Sequence, residues 1–268
     1  MNVLGGRHAL VTGGGSGIGA AIARALGEAG AAVTIAGRDK AKLEAMARTL
    51  RCASVVADVT READCAAMVA GAREKNGPVD IVIANAGAAE SAPFGRIDSA
   101  HWQRMIDVNL TGAFNTARAG LADLTRDGAS EGGRRLVFVA STAALKGYPY
   151  VAAYVAAKHG VLGLARALSA ELAATGVTVN AVCPGFTDTP LLAASVNAIT
   201  AKTKRSTDDA RAALARDNAH HRLIAPEEVA GTVLWLCTAA AQSINGQAIA
   251  IAGGQVHFGV QHFLKAVH

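Results

Sequence analysis

The feature that most constrains this chain is the regular alternation of short apolar runs with longer helical stretches. The runs Ala9–Val11, Ala32–Ala36, Ser54–Ala57, Val79–Ala84, Leu136–Ala140, Val177–Val182 and Gln247–Ile251 are mostly β-branched and apolar on both faces, as strands inside a parallel sheet must be. Between them, Ile18–Ala29, Lys40–Leu50, Arg61–Lys75, Ala100–Leu124, Val151–Ala174 and Pro226–Ala239 have helical composition. This alternation predicts a doubly wound α/β fold: a parallel sheet of about seven strands with helices on both faces. In such a sheet a ligand sits beyond the carboxyl ends of the strands.

With 268 residues, 51% of them hydrophobic and 18% charged, the chain can build one large core. It reads as a single dinucleotide-binding and catalytic domain over residues 1–268, with a lid-like insertion at about 190–225 where the alternation breaks. The insertion carries Lys202, Lys204, Arg205, Arg211, Arg216, His220, His221 and Arg222. The net charge of +5 is scattered rather than striped, which argues against a nucleic-acid partner. Cys52, Cys65, Cys183 and Cys237 lack metal-ligand spacing and read as reduced, packed thiols, so no metal is expected. No apolar run is long enough to span a membrane. Met1 leads directly to the strand-like His8–Thr12 with no leader pattern, so the expectation is a cytoplasmic protein with no membrane partner.

Thr12-Gly13-Gly14-Gly15-Ser16-Gly17-Ile18-Gly19 joins the first strand to the first helix. Glycines let the backbone turn tightly and approach a pyrophosphate, and the helix N-terminus offers free N–H groups to it. Gly13, Gly15, Ser16, Gly17, Ile18 and Gly19 are therefore candidate dinucleotide-binding residues, and the sheet reads as Rossmann-type. The second strand ends Ala36-Gly37-Arg38-Asp39. Gly37 stands where an acid would bond a ribose 2′-hydroxyl, while Arg38 can pair with a 2′-phosphate. NADP(H) is favoured on that ground, with NAD(H) as the alternative. Asp39 competes for the ribose but reads as a helix N-cap. Asp58, with Val59, ends the third strand and can accept from an adenine amino group; capping a helix is its other reading. Asn85-Ala86-Gly87 ends the fourth, where small residues let a cofactor lie against the backbone and Asn85 can pin strand ends.

Tyr154 and Lys158 lie four residues apart in a helical stretch, on one face. A neighbouring ammonium lowers a phenol's pKa, and a phenol so tuned exchanges a proton with a developing alkoxide. Neither Tyr148 nor Tyr150 has such a lysine. Ser141 follows the fifth strand, where its hydroxyl can hold a substrate oxygen. Asn109, polar within an apolar helix, needs a buried partner; it could kink the helix and bind a water that relays protons to Lys158.

Thr12–Gly19, Asn85-Ala86-Gly87, Asn109, Ser141, Tyr154/Lys158 and Pro184-Gly185, in this order from about residue 5 to 254, together resemble the single-domain short-chain dehydrogenase/reductase family. The resemblance implies hydride transfer between a nicotinamide and a ketone or secondary alcohol. It makes Asn109, Ser141, Tyr154 and Lys158 a catalytic tetrad, with Lys158 also at the nicotinamide ribose. It places Pro184, Gly185, Thr187 and Thr189 at the nicotinamide end, Thr189 at the carboxamide, and it implies a homotetramer built through Ala100–Leu124 and Val151–Ala174. Thr187 and Ala252 depart from the family's usual residues, and the tail after Gly254 is longer than expected.

By position, Ala143, Leu145, Tyr148, Phe186, Leu191 and Leu192 line an apolar substrate pocket. Ala140–Gly163 and Asn180–Pro190 resemble 3-oxoacyl-thioester and polyketide ketoreductases, and a basic lid suits the phosphate of a CoA- or ACP-linked substrate. Thr175 stands where carrier-protein reductases often offer a basic residue. A general ketone or hydroxy-compound dehydrogenase, of sugar, steroid or aromatic type, is the second reading. A non-catalytic dinucleotide sensor usually lacks the Tyr/Lys pair, and a methyltransferase would leave Ser141, Tyr154 and Lys158 unexplained.

Overall fold

The computed structural model describes residues 2–126, 133–203, 206–218 and 220–254. Lys204, Arg205 and the tail after Gly254 lie outside them. Seven strands form one parallel sheet: β1 (His8–Thr12), β2 (Ala32–Gly37), β3 (Ala53–Val56), β4 (Ile81–Ala84), β5 (Arg135–Val139), β6 (Thr178–Pro184) and β7 (Ala248–Ile251). Their order is β3-β2-β1-β4-β5-β6-β7, all parallel. The chain winds outward from β1 to β3, then returns to place β4 on the other side of β1. The carboxyl ends of β1 and β4 are thus the switch point where a crevice must open.

The four central strands are buried throughout, which is why their sequences run apolar without alternation. The pleat still sorts their side chains. Leu10, Val82 and Phe138 pack with α3 (Glu62–Asn76), α5 (Gly112–Leu124) and α6 (Ala152–Glu171). Ala9, Val11, Ile81, Ile83 and Val137 face the other way, onto α1 (Gly17–Glu28), α2 (Lys40–Leu50) and α9 (Pro226–Cys237).

Two expectations change in detail. The stretch Ala100–Leu124 is not one regular helix: α4 (Ser99–Ile106) joins α5 through a wider π-helical turn at Asp107–Thr111. The third strand stops at Val56, so Asp58 and Val59 lie just beyond it. The insertion holds α7 (Pro190–Lys202) and α8 (Thr207–Arg216). These share a small core of Leu192, Val196 and Ala210 with Phe186, Leu214 and Leu223. Two ties fasten it to the segment after β6: the parallel bridge Thr187–Ile224 and the Arg211–Asp188 ion pair at 2.7 Å. Among the described residues no helix is long and apolar enough to cross a membrane.

At the end of the sheet opposite the crevice, Asp123 near the end of α5 is 4% exposed. Its carboxylate accepts from Arg73 Nε (2.8 Å) and the Val79 N–H (3.0 Å) and pairs with Arg73 Nη2 (2.8 Å). Burial alone would raise its pKa; the Arg73 and Val79 bonds outweigh that and hold it below the usual carboxylate range. Its folded-state pKa is thus below the unfolded value of about 3.9. The stabilisation is present above that pH and is lost as pH falls through the lower folded value. Because Arg73 is half in solvent, Asp123→Ala should cost about 2 kcal/mol at pH 7. Urea unfolding should show the gap between variant and wild type narrowing towards pH 3; a gap that stays constant would contradict the assignment.

Candidate functional site

At the switch point three backbones meet. Thr12 Oγ1 donates to the Ile83 carbonyl (3.2 Å) and accepts from the N–H groups of Asn85 (3.1 Å) and Ala86 (3.2 Å). Asn85 Nδ2 returns a bond to the Thr12 carbonyl at 2.8 Å. The carboxamide expected to pin strand ends does so, and the partner hydroxyl, Thr12, is one that sequence reasoning passed over. Gly13 follows with φ of +67° and no room for a side chain: a Cβ would stand 2.8 Å from Asn85 Nδ2. A Cβ on Gly19 would stand 2.3 Å from the Gly13 carbonyl oxygen, so the first turn of α1 sits directly on the end of β1. Ser16, the residue capping α1, makes no side-chain cap bond, leaving the first amides of the helix pointing into the crevice. A glycine cradle at a positively polarised helix end fits a pyrophosphate, so the residues present fit a dinucleotide.

Beyond β2, Asp39 accepts from the Lys42 N–H at 3.1 Å and caps α2, as its position suggested. Arg38 extends into solvent, its side chain 68% exposed, with Nη1 4.0 Å from Asp58 Oδ2. Asp58 does not cap α3, whose cap position is Arg61. Instead its Oδ1 accepts from the N–H and hydroxyl of Thr60 (3.0 and 2.8 Å). Burial would raise the Asp58 pKa, but the Thr60 bonds and the arginines Arg38 and Arg61 hold it low.

The second half of the site lies at the ends of β4 and β5. Asn109 is 1% exposed. Its Nδ2 donates to the carbonyls of Ala88 and Met105, both at 2.9 Å, and its Oδ1 accepts from the Ala88 N–H at 3.2 Å. Both Nδ2 hydrogens are therefore engaged by the protein, and the π-helical turn is what brings this carboxamide to Ala88. A methyl at Gly87 would lie 2.9 Å from Asn109 Oδ1 and 3.7 Å from Lys158 Nζ, so the Asn85-Ala86-Gly87 segment, Asn109 and Lys158 converge.

Ser141 Oγ accepts from the Ala143 N–H at 3.1 Å. Tyr154 lies in the first turn of α6. Lys158, one turn on and 4% exposed, donates to the Val139 carbonyl at 3.0 Å, with Nζ 5.6 Å from the Tyr154 ring centroid. Burial pushes the Lys158 pKa down to about 8. Burial also moves Tyr154 above its ordinary value, outweighing the lowering influence of the Ser141 hydroxyl. This corrects the expectation that Lys158 lowers the phenol: desolvation dominates, and the ammonium is directed at a carbonyl rather than at the hydroxyl. Cys183, alongside, is pushed up to about 11 by burial and stays a neutral thiol.

The loop after β6 closes the crevice. Pro184 ends the strand, and the Gly185 N–H bonds the Ile251 carbonyl at 2.9 Å. The Thr187 hydroxyl donates to the Gly185 carbonyl at 3.0 Å. Thr189 Oγ1 accepts from the Leu192 N–H and donates to the Thr187 carbonyl, each at 3.3 Å, so it caps α7. A Cβ on Gly17 would stand 3.3 Å from Thr189, which sets this loop against the glycine turn. Sequence reasoning also missed Asn218, 0% exposed, whose carboxamide pairs with the backbone of Phe186 (3.1 and 2.9 Å). Nothing local marks it, because its partner is 32 residues away.

A family model described as short chain dehydrogenase matches residues 7–199. The chain is 37% identical over 252 residues to a putative ketoacyl reductase of Streptomyces coelicolor, covering 92% of this chain and 95% of the relative. It is 39% identical over 254 residues to cis-4-hydroxycyclohexanecarboxylate dehydrogenase of Sinomonas cyclohexanicum, covering 92% and 96%. Among solved structures, a variant of actinorhodin polyketide ketoreductase with NADPH superposes with a TM-score of 0.88 at 35% identity, covering 93% of this chain and 97% of that one.

Gly19→Ala should force α1 off the Gly13 carbonyl and lower dinucleotide affinity by more than about tenfold. Titration followed by nicotinamide fluorescence measures it; wild-type affinity would show that the close approach does not matter.

Proposed function

The chain belongs to the short-chain dehydrogenase/reductase family, and from that premise we propose that it reduces a ketone, of 3-oxoacyl type, to a secondary alcohol with NADP(H). The observation that carries this is the phenol of Tyr154 in the first turn of α6, one helical turn before the buried Lys158, whose Nζ lies 5.6 Å from its ring centroid.

On this reading Gly13, Gly15, Ser16, Gly17, Ile18 and Gly19 hold the pyrophosphate. Arg38 takes the 2′-phosphate; it is exposed and its neighbour Asp39 is engaged as a cap. Asp58 and Val59 lie by the adenine, and Asn85, Ala86 and Gly87 support the middle of the cofactor. Lys158 meets the nicotinamide ribose, and Pro184, Gly185, Thr187 and Thr189 the nicotinamide end. When bound, the nicotinamide supplies the hydride. Ser141 holds the carbonyl oxygen, and Tyr154 gives its proton to that oxygen as the carbon becomes an alcohol carbon. In the reverse direction Tyr154 takes the proton back. A phenol held above its ordinary pKa by burial is protonated at neutral pH and so suits the reductive direction. Asn109 shapes the site through the π-helical turn and Ala88.

The names of the ketoacyl-reductase relatives support the 3-oxoacyl substrate. A dehydrogenase of hydroxy compounds is the second reading, favoured by the likeness to the cyclohexanecarboxylate enzyme.

Tyr154→Phe should lower ketone reduction by at least about a hundredfold while cofactor affinity stays near wild type. Retained turnover would remove the phenol from the mechanism. Arg38→Ala should weaken NADPH binding by more than about tenfold and NADH binding little; equal losses for both would count against the 2′-phosphate assignment.

A further inference from the structure

Tyr148 belongs to the loop between β5 and α6, and its neighbours place it between the two walls of the carbonyl site. Its ring meets Phe186 edge-on, with centroids 6.2 Å apart and planes at 89°. Lys146 Nζ lies over it, 4.9 Å from the ring centroid. Its hydroxyl is 2.7 Å from Thr142 Oγ1, on the residue after Ser141. Phe186 is immobilised from behind: its N–H donates to Asn218 Oδ1, and its carbonyl accepts from Asn218 Nδ2 and from the Ile224 N–H. Tyr148 thus spans from the serine loop to the loop after β6.

The hydroxyl hydrogens can be counted. Tyr148 and Thr142 carry one O–H each, and the contact between them uses one. Thr142 is 3% exposed, and among the described residues its hydroxyl has no other partner. A buried donor without an acceptor is costly, so Thr142 is the donor in the pair. The O–H left over is that of Tyr148, which is half-buried and lies against the residue after Ser141. Burial raises the Tyr148 pKa, against the Thr142 bond, so the group remains a donor through neutral pH.

Resting on the reductase reading above, we propose that Tyr148 is a specificity-determining residue whose O–H binds a second, acyl oxygen of the substrate near the reacting carbonyl. The site then favours 3-oxoacyl compounds over simple ketones because an oxygen acceptor satisfies a donor that a hydrocarbon chain leaves without one.

The test uses two probes of equal chain length, ethyl 3-oxobutanoate and 2-heptanone, assayed with NADPH and with NADH. The measured quantity is the ratio of their kcat/KM values. Tyr148→Phe should lower the ratio of ester over ketone about tenfold, chiefly through KM for the ester, the worth of one hydrogen bond. An unchanged ratio overturns the proposal. The double variant Thr142→Val/Tyr148→Phe, with both partners apolar, should repeat the loss of selectivity. Recovery of the ester rate there would trace the single variant's defect to the stranded Thr142 hydroxyl, and would also overturn it. Wild-type enzyme that reduces neither probe sinks the reductase reading itself, whereas turnover of both with an unmoved ratio sinks only the role of Tyr148.

Discussion

The contact between the first turn of α1 and the Gly13 carbonyl sets the rest of the site. With a Cβ on Gly19 only 2.3 Å from that oxygen, no other residue fits without moving backbone, and the helix axis would shift with it. Once α1 is seated there, its uncapped amides point into the crevice and Thr12 can reach Ile83, Asn85 and Ala86 together. The end of β4 is thereby fixed relative to β1. Because Ala88 is held by Asn109, that constraint passes on to the π-helical turn and to Lys158 beside Gly87. Precision at the chemical centre is borrowed from backbone packing two strands away.

Desolvation is the second organising force. The low-dielectric ends of β5 and β6 press both titratable groups towards their neutral forms: Tyr154 upward, Lys158 down to about 8. The pair therefore does not behave as an isolated phenol beside an ammonium, which is the picture that i, i+4 spacing alone supports. A lysine at about 8 keeps its charge over most of its population at neutral pH, while its bond to the Val139 carbonyl anchors the head group. Fixed charge and protonated phenol together make a donor site that needs little rearrangement.

How much of this was legible in the sequence follows from what each feature depends on. The winding of the sheet was readable because buried parallel strands must be largely apolar on both faces, and most of the strand runs were. Asp39 was readable as a cap because capping is local. The π-helical turn at Asp107–Thr111 was not, since it answers to Ala88, some twenty residues earlier. Arg135, just before the apolar run Leu136–Ala140, was passed over: it begins β5, is fully buried and bonds the Leu236 and Thr238 carbonyls at the end of α9, about a hundred residues on. The direction of the Tyr154 shift was misjudged for a related reason, because spacing reveals a neighbour but not how much water has been removed.

The insertion between β6 and α9 shows how chemistry and selectivity are kept apart. Its helices place none of Ser141, Tyr154 or Lys158. They hold the loop after β6 by the Arg211–Asp188 pair, the Thr187–Ile224 bridge and the Asn218 carboxamide on Phe186. Phe186 in turn backs Tyr148. The exposed ion pair is worth little by itself, but Asn218 is fully buried, and losing its carboxamide would strand the Phe186 N–H. The wall of the substrate pocket is therefore set by groups that never approach the reacting carbon. Side-chain changes in this insertion can reshape what enters the site while the proton-transfer machinery on α6 and β5 keeps its geometry.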